Sequence, residues 1–181
     1  QNSLFMEFQE LIRRRRSIRK FSDRRPDRET ISRILEETAA FAPSSRNSRS
    51  TRFLVVDDPE LIARIAAMRD YGSAFVKGAP CVVLVLGDRT ASDLWQVNAA
   101  IAATQLLQGL VDRGLAGCWG QVDGRPRRKE EPAGEQAEAY LRTFLPLPEN
   151  CSVLCAVPCG YSDFTPAPLP EYDPKSAVEF L

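Results

Sequence analysis

Apolar residues recur at intervals of three and four in several stretches of the chain, and this spacing predicts amphipathic helices. The stretches are residues 4–12, 31–39, 61–68 and 94–111, and a shorter helix is expected near 137–144. Asp27 and Asp58-Pro59 are suitable starts for the second and third helices. Pro43 and Gly114 predict where the second and fourth helices end.

Other stretches predict strands. Residues 51–56 and 151–157 are rich in apolar positions, and 115–122 reads as a short strand and turn around Trp119. Residues 81–86 are apolar without interruption, which is typical of a central strand covered on both faces. Helices alternating with strands favour an α+β, three-layer α/β/α-like fold.

The longest predicted helix, residues 93–113, has a distinctive pattern. Its apolar stripe consists of Leu94, Val97, Ile101, Thr104, Leu107 and Val111, widened by Leu106 and Leu110. Alanines flank this stripe and permit a neighbour to approach closely. This suits either a central core helix or a helix at a subunit interface.

At 181 residues the chain is expected to form a single domain spanning 1–181. Residues 125–138 are polar and rich in Pro and Gly, which favours a mobile loop. Residues 164–181 include four closely spaced prolines and predict an extended C-terminal tail. We find no internal repeat and no linker that would divide two cores.

The chain contains no histidine. This excludes Ser-His-Asp and Cys-His hydrolases and any His-ligated zinc site, so a cofactor is expected to carry the chemistry. Five cysteines, with no signal peptide or transmembrane run in the sequence, favour a reduced, cytoplasmic location. Cys151, Cys155 and Cys159 are spaced by four, so on a regular strand they would share one face. Core packing is expected of them rather than metal binding.

Positive charge is concentrated near the N-terminus. Lys and Arg balance Asp and Glu at 24 each, yet residues 13–28 hold nine basic and two acidic residues. An extended backbone would project Arg15, Ser17 and Arg19 to one side and turn Ile18 toward the core. The stretch could be a solvated face, a surface that docks on nucleic acid or an anionic membrane, or a cradle for a phosphate-bearing cofactor.

Four segments, in order, favour the cofactor. They are Arg15-Arg16-Ser17-Ile18-Arg19-Lys20-Phe21, Ala42-Pro43-Ser44-Ser45-Arg46-Asn47-Ser48, Gly114-Leu115 to Trp119, and Val157-Pro158-Cys159-Gly160-Tyr161. In motif and spacing the chain resembles the nitroreductase family of flavoproteins. It departs from the family pattern at Arg49-Ser50-Thr51, where N-S-Q-P-W commonly continues, at Gln121, and at Asn98, where an acid is frequent.

The resemblance implies a homodimer with a central mixed sheet flanked by helices and with FMN at the subunit interface. One subunit would contribute Arg15, Arg16, Ser17 and Arg19, and the other Pro43, Ser44, Ser45 and Asn47. Trp119, Gly120 and Gln121 would lie beside the flavin ring, and Lys175 would complete the phosphate site. No metal is implied.

The function implied is an FMN-dependent oxidoreductase with a ping-pong mechanism. NAD(P)H would reduce the flavin and leave, and an electron-poor small molecule such as a nitroaromatic or a quinone would then accept the electrons. No catalytic side chain is required, and no nucleic acid or membrane partner is expected. Two alternatives stay open: a sensor or flavin-modifying enzyme on the same fold, and a nucleic-acid- or membrane-binding protein with a basic patch.

Overall fold

A computed structural model describes residues 6–181 of the protein, so Leu4 of the first predicted helix lies outside the described residues. The α-helices are α1 (Phe8–Arg14), α2 (Arg28–Phe41), α3 (Pro59–Ala66), α4 (Trp95–Asp112) and α5 (Ala137–Arg142). The strands are β1 (Thr51–Val56), β2 (Cys81–Asp88), β3 (Ala116–Gly117), β4 (Gly120–Gln121) and β5 (Cys151–Gly160).

The strands form one sheet in the order β1-β2-β5-β3, and β4 also pairs with β5. All of these pairings are antiparallel, and a parallel component enters through an isolated bridge between Ser17 and Gly117. Helices α2 and α4 cover one face of the sheet, while α3 and α5 cover the other. The α+β, three-layer fold class is therefore confirmed, and β2 is the central strand that its unbroken apolar run predicted.

The buried face of α4 coincides only in part with the predicted apolar stripe. Leu94, Val97 and Ile101 are 47%, 53% and 37% exposed. The residues that pack into the protein are Trp95, Asn98, Ala99, Ala102, Ala103, Leu106 and Leu110. Small alanine side chains let the helix lie close to the sheet. Leu106 and Leu110 of the predicted stripe are buried and Leu107 packs against the core, whereas Leu94, Val97 and Ile101 leave an apolar stripe on the outer surface of α4.

A β-bulge corrects the prediction for the cysteines of β5. Val85 pairs with Cys155 but Leu86 pairs with Val153, so Leu154 is an extra residue in β5. The bulge reverses the alternation of side chains. Cys155 and Cys159 consequently join the core beside α2 and α4, while Cys151 joins the core beside α3 and α5. The three thiols do not share a face, but all are buried and packed in the core as predicted.

Strand β1 lies at one end of the sheet, and its outer edge opens onto a groove of about 580 Å³ beside α2. Residues 164–181 have no helix or strand apart from a 3-10 turn at Pro174–Ala177. Leu169, Tyr172, Val178 and Phe180 in this tail are all exposed. Across residues 6–181, no helix combines the length and apolarity needed to cross a lipid bilayer.

Candidate cofactor site

The arginine-rich stretch leaves helix α1 at Arg15, whose backbone is extended. Ser17 forms the parallel bridge with Gly117, and the Ile18 N–H donates to the Gly117 carbonyl over 3.1 Å. Ile18 is buried, as its place in the stretch predicted. The stretch is therefore fixed along the edge of the sheet beside β3, with its polar side chains outward.

Three predicted ligand residues lie around the Cys118 thiol. Burial raises the pKa of this thiol, whereas the positive charges of Arg19 and Arg15 and a hydrogen bond with Ser17 oppose that rise. The backbone is extended at Arg15 and Ile18 is buried between Ser17 and Arg19, so the alternation of side chains places Arg15, Ser17 and Arg19 on the side opposite Ile18. We call these three residues the cationic cradle.

Three arginines of this stretch form no ion pair in the described part of the chain. Within residues 6–181, no carboxylate lies within ion-pair distance of Arg15, Arg16 or Arg19, whereas Arg14 pairs with Glu10 on α1. Arg16 donates to the carbonyl of Ala167 over 2.8 Å. Guanidinium groups bind phosphate oxygens in pairs and stay charged at any physiological pH. The uncompensated charge of the cradle thus fits a phosphate-bearing cofactor.

The turn from Trp119 to Gln121 lies next to the cradle, because β3 and β4 both pair with β5. Trp119 Nε1 donates to the side-chain oxygen of Gln121 over 2.7 Å, and Gln121 Nε2 donates to the Asp123 carbonyl over 3.0 Å. Gly120 is buried and pairs with Ala156. Both polar atoms of the Gln121 amide are thereby bonded to residues of the same turn.

The second predicted segment, residues 43–50, depends on a residue that sequence reasoning noted without including in the site. Asn98 of α4 is 2% exposed. Its Oδ1 accepts from the Ser45 N–H over 2.9 Å, and its Nδ2 donates to Ser50 Oγ over 2.9 Å. Longer contacts of 3.3 Å join Nδ2 to Ser48 and Ser92. The sequence does show an asparagine next to the alanines of this helix. A buried amide needs hydrogen-bond partners, so this position could have indicated a polar contact with another segment.

We call residues 43–50 the serine loop, and its backbone is unusual. Arg46, Asn47 and Arg49 have φ angles of 52°, 52° and 46°, in the left-handed region that is uncommon for side chains other than glycine. Ser44 Oγ accepts from the Arg49 N–H over 3.0 Å and helps to close the loop. Strained backbone held by side chains occurs often at functional sites. Pro43 and Asn47 are exposed beside it.

The two halves of the predicted site are far apart within one protomer. The serine loop is bonded to Asn98 near the start of α4, whereas Gly117, which pairs with Ser17, packs against Leu110 near its end. Twelve residues of helix separate Asn98 from Leu110, or about 18 Å. Lys175 is exposed in the C-terminal tail. The structure therefore brings the cradle and the Trp119–Gln121 turn together, but not the serine loop.

Fold and site together define a three-layer α+β protein with an unpaired cationic cradle beside a short strand pair. Residues 12–69 match the model of the nitroreductase family. A relative from Methanothermobacter thermautotrophicus, named as a candidate NADH dehydrogenase/NAD(P)H nitroreductase, is 31% identical over 172 residues, which cover 93% of this chain and 84% of the relative.

Solved structures agree with this match. The FMN-dependent nitroreductase of Clostridium difficile R20291 is 32% identical with a TM-score of 0.82, covering 94% of this chain and 96% of that one. A candidate nitroreductase of Desulfovibrio desulfuricans, solved in complex with FMN, is 26% identical with a TM-score of 0.76, covering 98% and 96%. The chain belongs to the nitroreductase family.

Proposed function

We propose that this protein is an FMN-dependent oxidoreductase that takes electrons from NAD(P)H and passes them to an electron-poor small molecule, in the cytoplasm. The observation that carries the proposal is the cationic cradle, where Arg15 and Arg19, which form no ion pair within residues 6–181, lie beside the Trp119–Gln121 turn. Relatives named as FMN-dependent or solved with FMN support the choice of cofactor.

The residues of the site suit the parts of FMN. Arg15 would lie near the phosphate and ribityl chain, and Arg19 would lie near the pyrimidine edge of the flavin. Positive charge at that edge stabilises the anionic reduced form. The Trp119–Gln121 turn would lie beside the ring and offer a backbone N–H.

We further propose that the active form is a homodimer and that the serine loop of one subunit completes the cradle of the other. The separation of about 18 Å along α4 supports this, since it places the two segments of one protomer near opposite ends of that helix. The outer face of α4 exposes Val97 and Ile101, and contiguous apolar surface of this kind marks interfaces. The exposed tail and the open groove beside β1 are a second pair of surfaces that a dimer could cover.

The chemistry places few demands on the protein. When bound, the flavin supplies hydride acceptance and hydride delivery. The chain would bind the cofactor, orient the nicotinamide donor and the acceptor in turn at one face, and limit access of water. A ping-pong sequence follows if both molecules use that face in turn. The chain has no histidine to act as a general base, which is consistent with the flavin carrying the chemistry.

A spectrum of the purified protein tests the cofactor. We expect a yellow protein with a flavin absorption band that oxidises NAD(P)H in the presence of a quinone or nitroaromatic acceptor. Arg19→Ala should weaken FMN retention, whereas Arg13→Ala, on the exposed side of α1, should not. A colourless protein that takes up no added FMN would refute the proposal.

A second experiment tests the dimer. Ile101→Asp places a charge on the exposed stripe of α4, and we expect it to give monomers that lose FMN, as measured by light scattering and absorbance. Ile101→Val keeps the surface apolar and should remain dimeric. If the Asp variant stays dimeric with FMN bound, the α4 face is not the interface.

A further inference from the structure

A cleft of about 380 Å³ lies outside the proposed cofactor site, on the segments that precede and follow the Trp119–Gln121 turn in the fold. It is lined by Ala67, Arg69, Asp70, Arg127 and Arg128, and we call it the arginine cleft. One wall is the segment after α3 and the other is the loop of residues 125–136. The Asp70 N–H donates to the Arg127 carbonyl over 2.8 Å, and the Lys129 N–H donates to Asp70 Oδ1 over 3.0 Å, so the two walls are joined.

The loop that forms the second wall is anchored at its base. Pro126 and Gln136 form an antiparallel bridge, and the Arg127 N–H donates to the Glu135 carbonyl over 2.8 Å. Arg127 also lies over the ring of Tyr140 at 3.8 Å. Its arginines are therefore presented from a defined hairpin-like segment.

Arg69 has unused hydrogen-bonding capacity. Its guanidinium lies 5.0 Å from the Tyr71 ring centroid, and its Nη2 donates to the Gly72 carbonyl over 3.3 Å. Its Nε is buried and has no partner in the described part of the chain. Because Nε is enclosed by the protein, a ligand would bind the outer nitrogens of this guanidinium, of which Nη2 alone has an acceptor within residues 6–181.

The other two arginines are held by weak ion pairs. Arg127 pairs with Glu135 at 3.4 Å and Arg128 with Glu131 at 3.8 Å, and the Arg128 side chain is 69% exposed. Exposed pairs of this length contribute little. A phosphate dianion, which offers three strong acceptor oxygens, can compete with these carboxylates for the guanidinium groups.

The cleft is adjacent to the proposed flavin site. Met68, which precedes Arg69, packs behind Gly120, with its Cε 3.9 Å from the position that a Cβ on Gly120 would take. Phe75, on the same segment, lies under the guanidinium of Arg19 at 5.6 Å. Arg127 follows Gln121 by six residues, at most about 20 Å of chain. A dinucleotide with its nicotinamide at the flavin could thus reach the cleft with its adenosine end.

We propose that the arginine cleft binds the 2′-phosphate of NADPH and makes this protein select NADPH over NADH. The inference rests on the proposed function, because it concerns the electron donor of the same site. The two donors differ by that one phosphate. Three guanidinium groups line the cleft, and two of them are held only by the long ion pairs to Glu135 and Glu131, so they are suited to bind it. The competing occupant of the cleft is the diphosphate that NADH and NADPH share. If the cleft bound that group, it would not distinguish the two donors.

Steady-state kinetics on the FMN-loaded protein test the selection. We expect kcat/KM for NADPH to exceed that for NADH. Arg69→Ala and Arg128→Ala should each lower the NADPH value, by about 10- to 100-fold for Arg69, and leave the NADH value within about twofold. Arg64→Ala is the matched control, since Arg64 also lies over an aromatic ring, that of Phe144 at 4.0 Å, but does not line the cleft.

Titration calorimetry with 2′,5′-ADP and 5′-AMP, which differ only by the 2′-phosphate, gives a readout that does not depend on turnover. Wild type should bind 2′,5′-ADP more tightly, and Arg128→Ala, whose exposed side chain is not needed for folding, should reduce the difference. Equal use of NADH and NADPH by a yellow, active wild type would overturn this inference while the proposed function stood. An equal loss for both donors in the variants would assign the cleft to the shared diphosphate and overturn it as well.

Discussion

Replacing Asn98 with alanine should loosen the serine loop, because one side chain joins α4 to four serines. The change removes the acceptor for the Ser45 N–H and the donor to Ser50 Oγ, both at 2.9 Å, with two longer contacts at 3.3 Å. Ser45 and Ser92 share a hydrogen bond of 3.1 Å and can retain it. The main loss is therefore a part-buried backbone N–H left without a partner.

The size of the effect follows from that loss. A buried donor left unsatisfied costs about 1–3 kcal/mol, and the missing amide adds a small cavity. We expect the free energy of unfolding to fall by about 2–3 kcal/mol. At about 2–4 °C per kcal/mol for a domain of this size, the melting temperature should fall by roughly 4–12 °C. If the serine loop completes the cofactor site, FMN affinity should fall as well.

Thermal and urea denaturation at a fixed protein concentration measure the change. Thr104→Ala is the control, since Thr104 lies on the exposed face of α4 and its hydroxyl donates to the Ala100 carbonyl of its own helix. Asn98→Asp keeps the acceptor for Ser45 but loses the donors, so it should fall between wild type and Asn98→Ala. If Asn98→Ala is as stable as Thr104→Ala, the loop does not depend on this side chain.

Two further changes test the packing and the electrostatics. Gly87→Ala should lower the free energy of unfolding by about 1–3 kcal/mol, because its Cβ would lie 2.4 Å from Trp95 Cε3, whereas Gly78→Ala enters open space and should be nearly neutral in urea denaturation. Arg28 donates two hydrogen bonds to Asp57, at 2.7 and 2.9 Å, and these lower the pKa of that carboxyl. Since the folded pKa is the lower one, the stabilisation is present above the unfolded value of about 3.9 and is lost as pH falls through the folded pKa. Asp57→Asn should cost no more than about 1 kcal/mol at pH 7, and a difference that does not narrow below pH 4 would contradict this account.

Local features were predictable because neighbouring residues determine them. Asp27 and Asp58 each accept a hydrogen bond from a backbone N–H three residues later, as their positions before two helices predicted. Gly114 ends α4 with a φ of 74°. The apolar run of β2 gave the central strand, since a strand covered on both faces needs no alternation. The cofactor and the cradle residues came from motif order, and their roles stay a prediction.

The tertiary structure alone decided which face of α4 is buried, how β5 alternates and what holds the serine loop. Both faces of α4 carry apolar residues, and the close contact with the sheet selected the alanines rather than Val97 and Ile101. The bulge at Leu154 depends on pairing with β2, a partner some seventy residues away along the chain. Asn98 meets the serines of the loop across 48 to 53 residues of sequence. Short-range patterns determine helices, strands and caps, whereas contacts between distant segments are settled by how side-chain volumes and hydrogen bonds fit in three dimensions.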